Sequence, residues 1–355
     1  MSATAAGGSK SPTPASPAPA SPAPAVEVPA EERPIEVDND GDDGDSAINV
    51  DDMSSLTASI TSSVVNYPIE HGRRYHAFRS GVYPLPNDDL EQDRLDLMHL
   101  VLTKLIGDKL FLAPIDPDNV HRVLDIGTGT GIWTMSFGDE YPQAQVLGND
   151  LSPIQPPWVP PNVKFEVDDV EEPWVYSAPF DFIFCRYMLA CIQDWPKLVR
   201  NAYDNLAPGG WVEFQDFDVQ YYSEDGTLPE DSAMYQWITK LVEICNKIGR
   251  DPRPGRSLEK WVRDAGFENV EHHRFRLPIG SWPKDPELKK LGQYNLAQML
   301  SGLEGFSLRL FCTIEGWSQE ELLVLLAQVR QEMKNPKIHV QYDYHVVYGQ
   351  KPAAK

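Results

Sequence analysis

Apolar positions recur along the chain with two spacings, and each spacing predicts one kind of element. Residues 88–107 carry apolar side chains at helical spacing behind Asp88, which can cap a helix, and Glu91, which would complete a capping box. From about residue 120, short apolar runs alternate with amphipathic stretches. The runs predict strands at 122–126, 145–150, 163–167, 180–185 and 211–215, with helices at 133–140 and 195–206. Strands that alternate with helices in this way indicate parallel βαβ units.

This alternation pauses after residue 216. Three further helices are predicted, at 229–248, 257–265 and 285–302. The segments 269–277 and 339–348 are strand-like and would close the sheet as an antiparallel pair. Pro208-Gly209-Gly210 predicts a turn directly before the fifth strand.

The beginning of the chain has a composition that does not support a packed core. Residues 10–25 are a Pro/Ala/Ser run, and residues 27–52 are dominated by Asp and Glu. Neither stretch can bury enough apolar surface to offset the entropy lost on ordering it. We therefore predict a disordered tail over 1–58 and one folded domain over 59–353. The predicted parts of that domain are cover helices at 59–110, a core at 120–216, a helical cap over the acceptor site with the sixth strand at 217–310, and a last helix and strand at 311–353.

The net charge of −22 over 355 residues restricts the classes of partner. An acidic chain is a poor match for nucleic acid or an anionic membrane surface, and we expect neither as a partner. No apolar run approaches the ~18 residues of a membrane span, and the first residues lack the basic and apolar segments of a secretory signal. The four cysteines have neither CxxC nor zinc-finger spacing. Reduced thiols, no metal and a cytoplasmic or nuclear location are therefore expected.

The stretch VLDIGTGTGIW at 123–133 carries the strongest functional signal. A strand delivers Asp125, and three glycines follow at every second position, Gly127, Gly129 and Gly131. Glycine accepts the φ angles of a sharp strand-to-helix turn and lets the backbone approach a ligand without a Cβ in the way. A dinucleotide loop of the form GxGxxG would need its third glycine at Ile132. An acid two residues before the first glycine suits the α-ammonium group of S-adenosylmethionine (SAM) better than a pyrophosphate.

Acidic residues also end the next two predicted strands. Asp150 ends the second strand and can accept hydrogen bonds from both hydroxyls of a ribose, a role that fits NAD as well as SAM. The structural alternative for Asp150 is a cap on the following turn through Ser152. Asp168 and Asp169 end the third strand, where a side chain can accept from the exocyclic amine of adenine. Together with Asp125, these acids face the crevice at the strand ends where open α/β sheets bind ligands.

With these motifs in place, the sequence resembles the class I SAM-dependent methyltransferases. It is most similar to the filamentous-fungal LaeA-like group, which includes a regulator of secondary metabolism. The resemblance covers about residues 65–353, and its group-specific stretches lie at 70–99, 180–188, 206–216, 302–307 and 345–352. It implies an α/β, Rossmann-like fold with a seven-stranded, mostly parallel sheet, an antiparallel last pair and extra helices.

The resemblance also implies SAM as the cofactor and carries a set of binding residues over to this chain. The matched positions are Asp125, Gly127, Thr128, Gly129, Gly131, Asp150, Leu151, Asp169, Val170 and Arg186. Asp150 is matched to the ribose and Asp169 to the adenine. Arg186 is matched to the wall of the pocket, with a surface ion pair as its alternative. Tyr75 belongs to a segment similar to a cover, so it would lie against the sulfonium or else pack the first helix.

The implied reaction is methyl transfer, an in-line displacement for which the protein aligns the acceptor and excludes water. The groups expected around the mouth are Tyr75, His76, Tyr187, Gln215 and Asp216. No pair among them has the spacing of a nucleophile and its base, so we assign no catalytic residue.

The acceptor is predicted to be a small molecule, such as a fungal secondary metabolite. The helices at 229–248 and 285–302 would roof a hydrophobic pocket, although the residues proposed to line it also suit a core, namely Trp237, Tyr294, Met299 and Phe306. The alternative function is a LaeA-like nuclear regulator that acts through protein partners with little methyl transfer. An NAD-dependent oxidoreductase is a third interpretation, which the spacing of the glycines disfavours.

Overall fold

The structure is a computed structural model that describes Met1 and residues 35–36, 64–79, 81 and 83–354. All the helices and strands belong to one compact unit, Pro34–Lys355. The predicted disordered tail, 1–58, lies outside the described residues except for Met1 and residues 35–36.

Most helices and strands lie close to the predicted bounds, but the segment predicted as cover helices, 59–110, holds one helix and two short strands among its described residues. The helices are α1 (Asp89–Leu105), α2 (Ile132–Glu140), α3 (Trp195–Asn205), α4 (Ala233–Lys247), α5 (Leu258–Ala265), α6 (Pro286–Ser307) and α7 (Gln319–Met333). The strands are β1 (Ile69–Glu70), β2 (Arg73–Arg74), β3 (Arg122–Ile126), β4 (Gln145–Asp150), β5 (Val163–Val167), β6 (Phe180–Arg186), β7 (Leu206–Tyr222), β8 (Glu268–Pro278) and β9 (Gln341–Gln350). A 3-10 turn precedes α5 at Pro254–Ser257, and a π-helical segment, Leu308–Ile314, continues α6.

Seven strands form one sheet in the order β5-β4-β3-β6-β7-β9-β8. The pairs from β5 to β7 are parallel, whereas β9 runs antiparallel to both β7 and β8. The strand order reverses at β3. The strands β4 and β5 lie on one side of β3, and β6 and β7 lie on the other. The carboxyl ends of β3 and β6 therefore border the crevice in which such sheets bind ligands. This arrangement confirms the predicted fold class.

The predicted turn before the fifth strand is wrong. The turn expected at Pro208-Gly209-Gly210 is part of β7, which begins at Leu206 and is much longer than predicted. Gly209 holds φ +82, and the register with β6 shifts at this point, as in a β-bulge. The N–H of Gly209 donates to Lys351 O, and the N–H of Lys351 donates to Gly210 O. The partner that makes this stretch a strand therefore comes from the other end of the sequence.

Capping explains where α1 begins, with one departure from the prediction. The Asp88 carboxylate accepts from the N–H of Glu91 at 3.1 Å, as a cap should. The Glu91 side chain does not complete the capping box, because it turns inward and pairs with Arg94 at 2.6 Å. Asp88 also receives two hydrogen bonds from Arg73, at 2.6 and 2.9 Å. These bonds tie the segment before the sheet to the first turn of α1.

The core lies on both faces of the sheet because successive side chains of a strand point to opposite sides. In β6, Phe182 and Phe184 pack toward α2, whereas Ile183 and Cys185 pack toward α3. A strand covered on both faces has a continuous apolar sequence, as residues 182–185 show. Trp133 of α2 stacks on Phe184 with ring centroids 3.9 Å apart, and such a pair adds about 0.5–1.5 kcal/mol to the burial of its area. This stack anchors the helix that follows the glycine loop.

Candidate functional site

A cavity of about 140 Å³ lies at the carboxyl ends of β3, β4 and β6, and α1 closes one side of it. Nine of the ten residues matched to cofactor positions line this cavity, namely Asp125, Gly127, Thr128, Gly129, Asp150, Leu151, Asp169, Val170 and Arg186. The tenth, Gly131, begins α2 just behind the lining. Residues that are far apart in the sequence thus meet where the topology predicts a ligand site.

The glycine loop cannot carry side chains at two of its positions. Gly127 and Gly131 hold φ +67 and +81, in the left-handed region that favours glycine. A Cβ on Gly127 would lie 2.3 Å from Met188 Sδ, and one on Gly131 would lie 2.4 Å from Phe165 Cζ. The loop therefore packs tightly against the neighbouring strand ends and keeps its backbone at the edge of the cavity.

Asp125 is buried at the end of β3 with 3 % of its surface exposed. Its Oδ2 accepts from Thr128 Oγ1 at 2.7 Å and from Thr134 Oγ1 at 2.5 Å. Burial raises the pKa of the carboxyl to about 6, although the two hydroxyls act in the opposite direction. A cationic group in the cavity would restore the ionised form, since a nearby positive charge stabilises a carboxylate.

Asp150 has its two oxygens on two different backbone groups. Oδ2 accepts from the N–H of Gly129 and Oδ1 from the N–H of Ser152, both at 2.9 Å. Burial raises its pKa to about 6 as well. The capping alternative is thus present in the structure, together with a bond to the glycine loop. The ribose contact remains a prediction, which the position of Asp150 in the lining supports.

The third acid, Asp169, is held by an arginine from another segment and by a backbone N–H. Asp169 pairs with Arg79 at 3.1 Å, and its Oδ1 accepts from the N–H of Glu171 at 3.0 Å. Val170 lies beside it in the lining, and its carbonyl accepts from Trp174 Nε1 at 2.9 Å. The loop after β5 is therefore fixed by its own backbone and by an arginine of the segment before α1.

Arg186 is a wall of the cavity, and the surface ion pair considered for it is wrong. Its Nη2 lies 2.8 Å from His99 Nδ1, and its Nη1 is buried without a hydrogen-bond partner in the described part of the chain. Burial lowers the pKa of Arg186, and burial together with this neighbouring cation lowers the pKa of His99 to about 3. His99 is therefore neutral and accepts from the guanidinium. A buried, unpartnered N–H of a cation is a binding position for an anionic ligand group.

Tyr75 does not reach this cavity. Its side chain is fully buried, and the Arg309 guanidinium lies over its ring at 4.8 Å. Its neighbour His76 is also buried, with Nε2 3.2 Å from Arg79 O. The structure thus agrees with the packing alternative for Tyr75, and the aromatic residue that the same segment brings to the cavity is Tyr83. The signal for Tyr83 was its place within the group-specific stretch 70–99.

Of the other groups expected at the mouth, only Tyr187 lines the cavity. Asp216 is buried beneath it, where its carboxylate accepts from the N–H of Met188 and of Phe217 at 2.8 Å each. Gln215 is buried between Glu213 and Tyr344. Asp216 and Gln215 therefore bind other buried groups near the end of β6 and do not line the cavity.

A second cavity, of about 80 Å³, adjoins the first. Trp237, Met299 and Phe306 line it as predicted, whereas Tyr294 does not. The two cavities share four lining residues, which are Tyr83, Leu95, Met98 and Tyr187. The walls of the second cavity come mainly from α1, α4, α6, β7 and the loops before α1 and after β6, and most of their side chains are aromatic or aliphatic. The second cavity therefore lies directly beside the first, and these four side chains border both.

Other kinds of site have no support among the described residues. No group of three or more His, Cys, Asp or Glu side chains there could hold a metal ion. All four cysteines are free in the structure. No helix in the described part of the chain is long and apolar enough to span a membrane.

Comparison with known proteins agrees with this geometry. The profile of a family described as "Methyltransferase domain" matches residues 97–272. The methyltransferase pytC of Aspergillus terreus is 50% identical over 319 residues, which cover 90% of this chain and 96% of that protein. The probable methyltransferase tdiE of Emericella nidulans is 35% identical and covers 85% of this chain and 94% of its own. The secondary metabolism regulator laeA of Monascus pilosus is 37% identical over 84% of this chain and 82% of that protein.

Proposed function

Because this chain belongs to the class I SAM-dependent methyltransferases, we propose that it transfers the methyl group of SAM to a small apolar molecule held in the second cavity. The observation that carries the proposal is the shared wall between the two cavities. An acceptor there would meet the methyl group directly, which is what an in-line displacement requires.

The residues of the first cavity fit SAM in shape and charge. The positions at which a Cβ would collide, Gly127 and Gly131, leave the backbone close to a ligand. Asp125, with its raised pKa, offers a carboxylate to the α-ammonium group. The free Nη1 of Arg186 offers a donor to the α-carboxylate. Asp150 and Asp169 lie at the next two strand ends, where they would accept hydrogen bonds from the ribose and the adenine.

SAM, when bound, supplies a methyl group activated by its sulfonium. The chain's own residues then orient the donor, hold the acceptor in line and exclude water. Leu95 and Met98 of α1 and the aromatic walls of the second cavity carry out the exclusion. No residue is assigned as a base.

The proposal is tested with methyl-labelled SAM and a metabolite extract of a filamentous fungus. We expect the label in a small product that partitions into organic solvent. Leu241 lines the second cavity and not the first, so Leu241→Trp should abolish labelling while S-adenosylhomocysteine still binds. Label that remains in the small product with Leu241→Trp would contradict the proposed acceptor site.

A second function has one observation in its favour, which is the similarity to regulators of secondary metabolism. Such a protein would act in the nucleus through protein partners, whereas an enzyme of small molecules would suit the cytoplasm. In the same experiment, this alternative is supported by label in the protein fraction or by SAM binding without any labelled product.

A further inference from the structure

Tyr187 lies where the two cavities meet, since it lines both of them. It follows β6 directly and holds φ +62, a left-handed conformation that is strained for a residue with a side chain. Its N–H donates to Gln215 O at 2.9 Å, and its ring meets the ring of Phe217 edge-on at 5.4 Å. These contacts fix the direction of the ring and therefore the position of its hydroxyl.

Arg94 of α1 supports that hydroxyl from behind. Its side chain is 1 % exposed, and its Nη1 donates to Tyr187 Oη at 3.0 Å and to Gln298 Oε1 at 3.1 Å. An arginine has donors only, so the Tyr187 oxygen accepts and keeps its own proton available to donate. A hydrogen bond from a cation polarises the O–H group and makes it a stronger donor.

The charges behind Tyr187 cancel one another. Arg94 pairs with Glu91 at 2.6 Å, and Arg73 pairs with Asp88 at 2.6 Å and approaches Glu91 to 3.9 Å. Two cations thus face two carboxylates, so this network is neutral as a whole. The network therefore brings no net charge to the place where the cavities meet, and the Tyr187 hydroxyl is the polar group that it positions there.

We infer that Tyr187 donates a hydrogen bond to an oxygen of the methyl acceptor, and that the acceptor is a ring compound with a carboxylate or enolate oxygen at that end. This inference rests on the proposed function. The rings of Phe217, Tyr221 and Trp237 line the space for the ring of the acceptor. An anionic oxygen is the strongest partner for a polarised O–H. Tyr187 then contacts the substrate, and Arg94 is a positioning residue.

The test is a calorimetric titration of 2-naphthoate into protein saturated with S-adenosylhomocysteine, which occupies the first cavity. We expect Tyr187→Phe to weaken binding about tenfold or more, because a hydrogen bond to a charged group is lost. The matched control is Tyr222→Phe, which removes a hydroxyl bonded to Asp343 and borders neither cavity. This control should bind 2-naphthoate like the wild type. The oxygen-free 2-methylnaphthalene should bind equally to wild type and Tyr187→Phe.

The role of Arg94 has its own readout. Arg94→Lys should weaken 2-naphthoate binding in the wild-type background and have no further effect in the Tyr187→Phe background, since Arg94 acts through Tyr187. Equal losses in both backgrounds would show that Arg94 only stabilises the fold.

The inference is overturned if Tyr187→Phe binds 2-naphthoate like the wild type, if Tyr222→Phe loses as much, or if the wild type does not bind it. These failures differ from failure of the proposed function. Normal binding of S-adenosylhomocysteine with label in a small apolar product would leave that function standing. Label found only in protein would contradict the proposed function, whatever the effect of Tyr187→Phe on 2-naphthoate binding.

Discussion

Replacement of Asp150 by alanine tests both of its roles, because it removes two backbone hydrogen bonds and would also remove the predicted ribose contact. In the structure the carboxylate accepts from the N–H groups of Gly129 and Ser152 at 2.9 Å each. Two such bonds would suggest a large stability loss, since bonds to charged groups contribute about 1.5–3 kcal/mol each. The pKa of Asp150, raised to about 6, shows that the cost of burying its charge exceeds what those bonds return.

The expected loss of stability for Asp150→Ala is therefore small, on the order of 1 kcal/mol, since the cavity admits water to the freed N–H groups. The loss of affinity should be larger. A carboxylate that accepts from both ribose hydroxyls contributes roughly 2–4 kcal/mol, which is about 30- to 1000-fold in the Kd of S-adenosylhomocysteine.

Two measurements on the same variant decide between the roles. Calorimetry gives the affinity for S-adenosylhomocysteine, and denaturant unfolding gives the free energy of unfolding. Asp150→Asn is the control, because its amide keeps an acceptor oxygen of the same size in the same place. We expect its affinity to fall between those of the wild type and Asp150→Ala. A stability loss of several kcal/mol with near wild-type affinity of the folded protein would refute the ribose contact and leave Asp150 as a cap.

Two further predictions concern the loop and the buried acids. Gly131→Ala should lower the free energy of unfolding by about 2–4 kcal/mol, because residue 131 has a φ of +81 and the new Cβ would collide with Phe165. Gly316 has a φ of +86 and open space around it, so Gly316→Ala should lower the free energy of unfolding by only about 1–2 kcal/mol. Equal losses of the two variants in denaturant unfolding would contradict this prediction. Burial raises the pKa of Asp216 to about 8 and of Glu213 to about 7, so the folded state binds protons that the unfolded state has released, and stability should rise as pH falls from about 8.5 to 6.5. Below that range His99 opposes the trend, because its pKa is depressed in the folded state. Asp216→Asn should flatten the dependence of stability on pH between 8.5 and 6.5. An unchanged slope would contradict the raised pKa of Asp216.

The sequence predicted most of the sheet because its signals are local. The alternation of apolar runs and helices, the glycine loop and the acids at strand ends each occupy a few neighbouring residues. The conclusions that failed depend on contacts between distant segments. Tyr75 packs beneath Arg309, and the stretch 208–210 pairs with Lys351. No local pattern reveals such partners.

The burial of polar side chains is the other feature of the structure that the sequence did not predict. Arg94 reads as a surface residue of an amphipathic helix, yet it is buried between Glu91, Tyr187 and Gln298. The space for it depends on Gly302 of α6, where a Cβ would lie 2.6 Å from Arg94 Cδ. The need for a small residue two hundred positions away is visible only in the folded chain. Asp150 shows the opposite case, because the cap on the following turn through Ser152 was predicted from the sequence and is present in the structure, whereas the ribose contact stays a prediction.

The identity of the cofactor is the central claim, and one calorimetric comparison tests it most directly. The purified protein is titrated with SAM and, separately, with NAD under the same conditions. The acid at Asp125, Ile132 in place of a third glycine and the free Nη1 of Arg186 predict a micromolar Kd for SAM and much weaker binding of NAD. Tighter binding of NAD than of SAM would contradict the account of the site on which the proposed function depends.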